Sequence, residues 1–266
     1  MGTDSEMVTA KIAMTVAGTR LEATLTLSTE ATRLPDLLPV LHSISDAVIN
    51  AVVTSVEAAG RVISCRKGCA SCCRQLVPLP QAEAAWMRDM VDNLPEPRRS
   101  AVKERFAAVI ERLGEAGLLD RLRNLGALSS EEQRVLGREY YLLRPDCPFL
   151  EAEVCSIFRE RPFACREYLV TSPAEFCEDP IVNGVAGVHM PVQIWPLIAH
   201  MGENPATPRP LSWVPLVLAL EWADAHPDGS TSRPTPEWIR EFFERLSNRP
   251  IPSVMAGTMG SFGATE

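Results

Sequence analysis

The amino-acid sequence predicts a mainly α protein in which helices frame two irregular Cys-rich metal-binding loops, with a β-hairpin near the N-terminus. Three observations lead there. Apolar residues recur every three or four positions through several long stretches, the period of a helix with one buried face. Strict alternation dominates one stretch only, residues 11–27. All eight cysteines fall between residues 65 and 177, in two groups punctuated by proline, glycine and charge.

The 266 residues carry 26 Lys+Arg against 34 Asp+Glu, a net charge of −8, with 46% hydrophobic and 23% charged residues. That balance fits a folded domain and excludes wholesale disorder, collagen and a long coiled coil. The acidic excess argues against a general nucleic-acid binder, which carries a basic stripe. The apolar run Leu216 to Leu220 is far short of the ~20 residues of a membrane helix, so no membrane association is expected. The segment MGTDSEMVTAKIA lacks a basic stretch followed by an apolar one, so no secretory leader and a cytoplasmic, thiol-reducing setting are expected.

The elements follow in chain order. Ile12, Met14 and Val16 alternate, Ala17-Gly18-Thr19 turns, and Leu21, Ala23, Leu25 and Leu27 alternate on the return, a hairpin. A helix is expected from about Asp36 to Ala59, with Leu41, Ile44, Val48, Val52 and Val56 inward and Gly60 as its stop. Pro39 belongs in its first turn. Arg61 to Pro80 is basic and Cys-rich, with too little apolar surface to fold alone.

Pro80 opens a helix with Ala84, Met87, Met90 and Val91 on one face. Pro97 opens the next, with Val102, Phe106, Val109, Ile110 and Leu113, ending at Gly114. Ser129 and Glu132 form a capping box for a helix through Leu143. Residues 144–180 are again Cys-rich and irregular. A helix is expected near Ser212–Ala225, and a last one with Thr235 as N-cap and Pro236 in the first position. Ile239, Phe242, Phe243 and Leu246 face inward there. Pro205, Pro208, Pro210 and the DGSTSRPTP stretch read as loops. The divisions are 1–60 (hairpin and helix), 61–178 (cysteine-cluster domain), 179–248 (helical extension) and 249–266 (flexible tail).

Cys69-x2-Cys72 places two thiolates where both can turn onto one ion, and Cys65 adds a third at compatible reach. Cys73 follows directly, and adjacent side chains point apart, so one of Cys72 and Cys73 is expected to face a second metal or the surroundings of the first. Cys147, Cys155 and Cys165 supply more thiolates than one four-coordinate site needs. Zinc and iron–sulfur clusters both accept four cysteines. Arg61, Arg66, Lys67 and Arg74 bracket the first group, and Arg159, Arg161 and Arg166 the second. Such cations are expected to lower thiol pKa values and offset the charge of a thiolate–metal centre. Cys177 reads equally as a buried hydrophobe or a further ligand. Disulfides and redox chemistry at Cys72-Cys73 are the weaker alternatives.

The pattern Cys65-x3-Cys69-x2-Cys72-Cys73, then Cys147-Pro148-Phe149-Leu150, Cys155-Ser156-Ile157-Phe158, Arg161-Pro162 and Cys165-Arg166 resembles the YkgJ-type cysteine-cluster family, the CxxCxxCC zinc- or iron-chelating domain. The resemblance covers residues 61–170. The first spacing is x3 where the family name says x2. The resemblance implies Cys65, Cys69, Cys72, Cys73, Cys147, Cys155 and Cys165 as metal ligands and Arg161 and Arg166 as hydrogen-bond donors to sulfur. An iron–sulfur cluster is favoured over zinc because so many thiolates gather. Its role is then electron transfer, maturation or a structural centre.

The family also contains a flagellin lysine N-methylase, so a cluster-dependent enzyme acting on a protein partner is the alternative. Cys65-x3-Cys69-x2-Cys72 matches the radical S-adenosylmethionine triplet as well, but that reading needs repeated βα units and an aromatic where Ser71 stands. His42 reads as a surface or internally satisfied residue. His189 and His200 read as ordinary residues, with a mixed Cys/His site as the alternative. Trp195, Trp213, Trp222 and Trp238 are spaced as core residues. No P-loop, HExxH or Ser-His-Asp order is present.

Overall fold

The computed structural model describes residues 6–203, 212–227 and 231–247. Met7–Val16 (β1) and Thr19–Ser28 (β2) form the hairpin, with Met14 opposite Leu21 and Val16 opposite Thr19. Ala17 and Gly18 both take positive φ, 49° and 82°, the turn whose twist matches paired strands. Met14, Leu21, Leu25 and Leu27 lean on the core, which supports a hairpin that is marginal alone.

Ala31–Arg33 (β3) leads into Leu34–Ala58 (α1). This helix starts two residues before the expected Asp36. Pro35 occupies its first turn and Pro39 lies further inside, where a proline lacks the N–H the ladder needs. Gly60, at φ 76°, ends it, donating to Glu57 O at 2.9 Å. By length and composition α1 is long and apolar enough to cross a membrane, with a mean hydropathy of 1.5 over a window that is 56% buried. A search for unbroken apolar runs misses it because Asp36, Asp46 and Glu57 interrupt the sequence. Leu38, Leu41, Val48 and Val52 are in the protein core.

After a 3-10 turn at Ser71–Arg74 come Pro78–Leu79 (β4), Gln81–Asp92 (α2), Arg98–Glu115 (α3) and Leu119–Arg123 (α4). Helix α3 runs one residue past Gly114, and α4 has no counterpart in the periodicity. Ser130–Leu143 (α5) starts with both halves of the Ser129/Glu132 capping box formed. Leu150–Glu151 (β5) and Val154–Cys155 (β6) make a small hairpin, followed by Phe163–Glu167 (α6), a 3-10 turn at Ala174–Glu178, Pro180–Asn183 (α7) and Ile194–Ala199 (α8).

The helix expected over 212–225 is only half a helix. Val214–Pro215 (β7) pairs with β4, a 3-10 turn covers Leu216–Leu218, and Ala219–Ala225 (α9) completes it. Leu216 N–H donates to Val77 O at 2.9 Å, so a distant backbone outbids the local pattern. Ser232–Pro234 (β8) pairs with β3, and Thr235–Ser247 (α10) buries Trp238, Ile239 and Phe242. Trp195 is buried as expected. The expected tail 249–266 and the loop prolines Pro205, Pro208 and Pro210 lie outside the described residues.

One apolar cluster runs from Val16 through α1, α2, α3, α6 and α8 to Phe242. Among the described residues every sheet is two-stranded and antiparallel. The repeated βα frame of the radical S-adenosylmethionine reading is therefore not present in them.

Candidate metal centre

The two cysteine groups, separated by the four helices α2 to α5 where about three were expected, meet. Cys147 N–H donates to Cys73 O at 2.9 Å, and Ser64 N–H to Val170 O at 2.9 Å. The first group lies on a bend and a 3-10 turn. Cys69 N–H closes a turn on Arg66 O at 3.0 Å, with Gly68 at φ 88° inside it. Positive φ at that position is what a type II turn demands, and glycine supplies it without strain. Cys73 N–H then bonds Ala70 O at 2.9 Å. Cys65 Sγ lies 3.9 Å from Tyr168 O, next to α6.

The second group is built differently. Cys147 precedes a turn in which Leu150 N–H donates to its carbonyl at 2.8 Å, and Cys155 stands opposite Leu150 in the β5–β6 hairpin. Cys165 sits in the middle of α6, whose ends are fixed by carboxylates. Glu83, fully buried on α2, accepts from Phe163 N–H at 2.9 Å and lies 3.3 Å from His42 Nε2. Glu167 accepts from Ile194 N–H at 2.6 Å and Trp195 N–H at 3.3 Å. Cys177 is buried on a 3-10 turn that packs against the turn carrying Cys72 and Cys73. The other seven thiols are part-exposed.

Burial governs the titration of these thiols. Desolvation holds Cys65 and Cys155 above the ordinary thiol range, Cys165 well above it, and pushes Cys147 and Cys177 up to about 12. Cys72 is also well above it, first because it hydrogen-bonds Cys73 and then because it is buried. The expectation of depressed values is thus reversed. Arg66 and Lys67 face solvent. Arg74 is taken by Asp146 and Glu153, at 2.8 and 2.7 Å. Arg161 alone acts on several thiols, lowering Cys65, Cys72 and Cys155 against the other influences, while its guanidinium lies 4.3 Å over the Phe158 ring. Arg166 spends its nitrogens on oxygen: Asp46 at 2.6 Å, Arg161 O at 2.7 Å, and Arg159 O. Among the described residues the hydrogen bonds of Arg166 all end on oxygen. A metal entering such a patch must displace protons, so loading releases them and strengthens with pH.

Residues 64–180 match the model of the CxxCxxCC family, described as "Putative zinc- or iron-chelating domain". Those residues are a CxxCxxCC domain. Its description names zinc or iron, the two metals that the thiols suggest, and gives the chain metal binding as its function in coarse terms. No curated protein and no solved structure matches the chain.

The CxxCxxCC domain offers an all-sulfur donor set, the chemistry of zinc–thiolate and iron–sulfur centres. Among the described residues no three His, Cys, Asp or Glu side chains stand close enough to share one ion. A single-ion site therefore requires the side chains to turn inward. The histidines stay apart from this chemistry: His200 Nδ1 pairs with Glu203 at 2.8 Å, His189 is exposed, and His226 stacks on Trp222. His42 is internally satisfied, between Glu83 and the rings of Trp86 and Phe163.

The carboxylates that fix α6 escaped the sequence reading. Glu83 shares the buried face of α2 with Met87 and Val91, and His42 and Ser45 lie in the buried stripe of α1. A charged residue on an apolar face was the available signal.

Proposed function

We propose that the CxxCxxCC domain holds an iron–sulfur cluster through Cys65, Cys69, Cys72, Cys73, Cys147, Cys155 and Cys165, in electron transfer or in the maturation of other metal centres within a reducing compartment. Zinc is the competing occupant. The observation that carries the reading is the Cys147–Cys73 backbone bond. It brings the two cysteine segments together, with more thiols than one zinc uses. The cluster supplies one-electron redox chemistry when bound. The chain's part is to present thiolates, to hold Arg161 beside them against their negative charge, and to shield the centre with Phe149, Ile157 and Phe163, all buried.

The test is anaerobic purification of the full-length chain with assays of iron, acid-labile sulfide and zinc. The reading expects equal iron and sulfide and broad visible thiolate-to-iron absorption that bleaches on reduction. A colourless protein carrying zinc and no sulfide overturns it.

A further inference from the structure

Helix α3 carries Arg98, Arg105 and Arg112 at seven-residue spacing. Two turns of helix nearly repeat an orientation, so the three lie along one line of its surface. All three donate to backbone carbonyls of the second cysteine segment. Arg112 binds Leu143 O at 2.5 Å and Arg144 O at 3.5 Å, Arg105 binds Pro148 O at 2.6 Å, and Arg98 binds Ser156 O at 2.9 Å. Arg105 also pairs with the Glu151 carboxylate at 2.6 Å. The Phe106 ring meets Phe149 edge-on, centroids 5.5 Å apart, so apolar packing holds helix and loop together beside the arginines.

Two of the clamped carbonyls share a place relative to cysteine: Pro148 follows Cys147, and Ser156 follows Cys155. Both peptides that carry them are trans. A trans peptide is planar, with its C=O and N–H pointing in opposite directions. Fixing Pro148 O on α3 therefore aims the Phe149 N–H away from the helix, and fixing Ser156 O does the same for the Ile157 N–H. Those two amides hydrogen-bond the sulfurs of Cys147 and Cys155. Each peptide thus spans from a guanidinium to a thiol. The third arginine differs. The Arg144 N–H, opposite the Leu143 carbonyl that Arg112 holds, donates to Tyr141 O at 3.0 Å and serves no sulfur.

We propose that Arg98 and Arg105 are positioning residues of the metal centre, each aiming one peptide N–H at a ligand sulfur: Ile157 N–H at Cys155 and Phe149 N–H at Cys147. This rests on the metal-binding reading above and adds a role for residues outside the cysteine set. A cation on the carbonyl polarises the peptide and strengthens the donor at its other end. Hydrogen bonds to ligand sulfur orient the ligand and tune a metal–thiolate centre.

The experiment loads the full-length chain, kept reduced, with cadmium-113, a soft and spin-active ion that thiolates hold as they hold zinc. An amide hydrogen-bonded to a ligating sulfur shows a scalar coupling to that metal in the nuclear magnetic resonance spectrum. The wild type should show it at Phe149 and Ile157. Arg105→Leu should remove the Phe149 coupling and keep that of Ile157, and Arg98→Leu should do the reverse. Each should weaken cadmium binding about tenfold in competition with a chelator. Arg112→Leu should leave both couplings and the affinity in place. If Arg105→Leu fails to fold by circular dichroism, the exposed Arg98 carries the test. Couplings that survive both substitutions, or vanish together in either, overturn the assignment. So does an equal loss of affinity in Arg112→Leu, which would make the stripe a general anchor of the loop. Cadmium bound by the wild type with no coupling at either amide overturns this inference alone. A wild-type chain that binds no cadmium overturns the metal-binding reading with it.

Discussion

The two cysteine segments hold their thiols by opposite means. In residues 65–73 the backbone carries nearly all the order: turns closed on Arg66 O and Ala70 O, and single bonds to Val170 and from Cys147. No side chain caps the 3-10 turn at Ser71–Arg74. In α6 the side chains do the holding. Glu83, Asp46 and Glu167 bind its two ends and its Arg166 to α2, α1 and α8. Phe163 and Ala164 are buried, while Cys165 between them and Arg166 keeps a part-exposed face. A short helix pinned at both ends is a seat built before the ligand arrives. A loop with backbone turns alone gains most of its order from what it binds.

Removing the metal should separate the two most sharply. Structural zinc supplies about 10–16 kcal/mol of apparent binding energy in small zinc domains. Chelation should therefore raise amide exchange strongly across residues 65–75 and leave 163–167 protected. Equal loss of protection in both breaks the comparison.

The next effect falls on the pinned side. Arg166→Met removes a guanidinium that is 5% exposed and paired with Asp46, and strands the carbonyls of Arg159 and Arg161. Losing one partner of a buried, hydrogen-bonded charge costs about 3 kcal/mol. Urea unfolding should show that loss in the metal-free chain too, since the seat does not depend on metal. A cost seen only with metal bound would make Arg166 part of the centre.

Glu167 gives a pH-dependent version. Burial raises its carboxyl to about 8, against the N–H groups of Ile194 and Trp195, which favour the ionised form. Its unfolded value lies near 4.3. Between those values the folded chain keeps a proton that the unfolded chain has released, so stability falls as pH rises. The slope approaches about 1.4 kcal/mol per pH unit and flattens above pH ~8. Glu167→Gln keeps the acceptor and removes the titration. Thermal unfolding across pH 5 to ~8 should flatten in the variant. An unchanged slope assigns it to other groups.

What the sequence discloses divides along the same line. The Ser129–Glu132 cap, the Ala17-Gly18 turn and the apolar stripes of α2, α3 and α10 are local, so spacing alone reveals them. The thiols are legible because cysteine so clustered has few other uses. The β4–β7 pairing and the Glu83 and Glu167 bonds join residues far apart in the chain, and no local period encodes them. Thiol basicity was misjudged for a related reason. The flanking cations are visible in the sequence, but the carboxylates that occupy Arg74 and Arg166 become visible only on folding.

The smallest predicted effect probes the loop itself. Gly68 holds φ 88°, and a Cβ there would meet nothing within 4 Å. Gly68→Ala therefore adds backbone strain without a clash, about 1 kcal/mol. Where that cost appears decides how the loop is shaped. If metal imposes the Arg66–Cys69 turn, the metal-free chain unfolds as before. The cost then appears as a roughly fivefold loss of metal affinity in competition with a chelator. If the turn is already fixed without metal, urea unfolding of the metal-free variant shifts by the full amount and affinity is unchanged. The first outcome makes residues 65–73 a ligand-shaped counterpart to the preformed seat of Cys165, and the second makes both segments preformed.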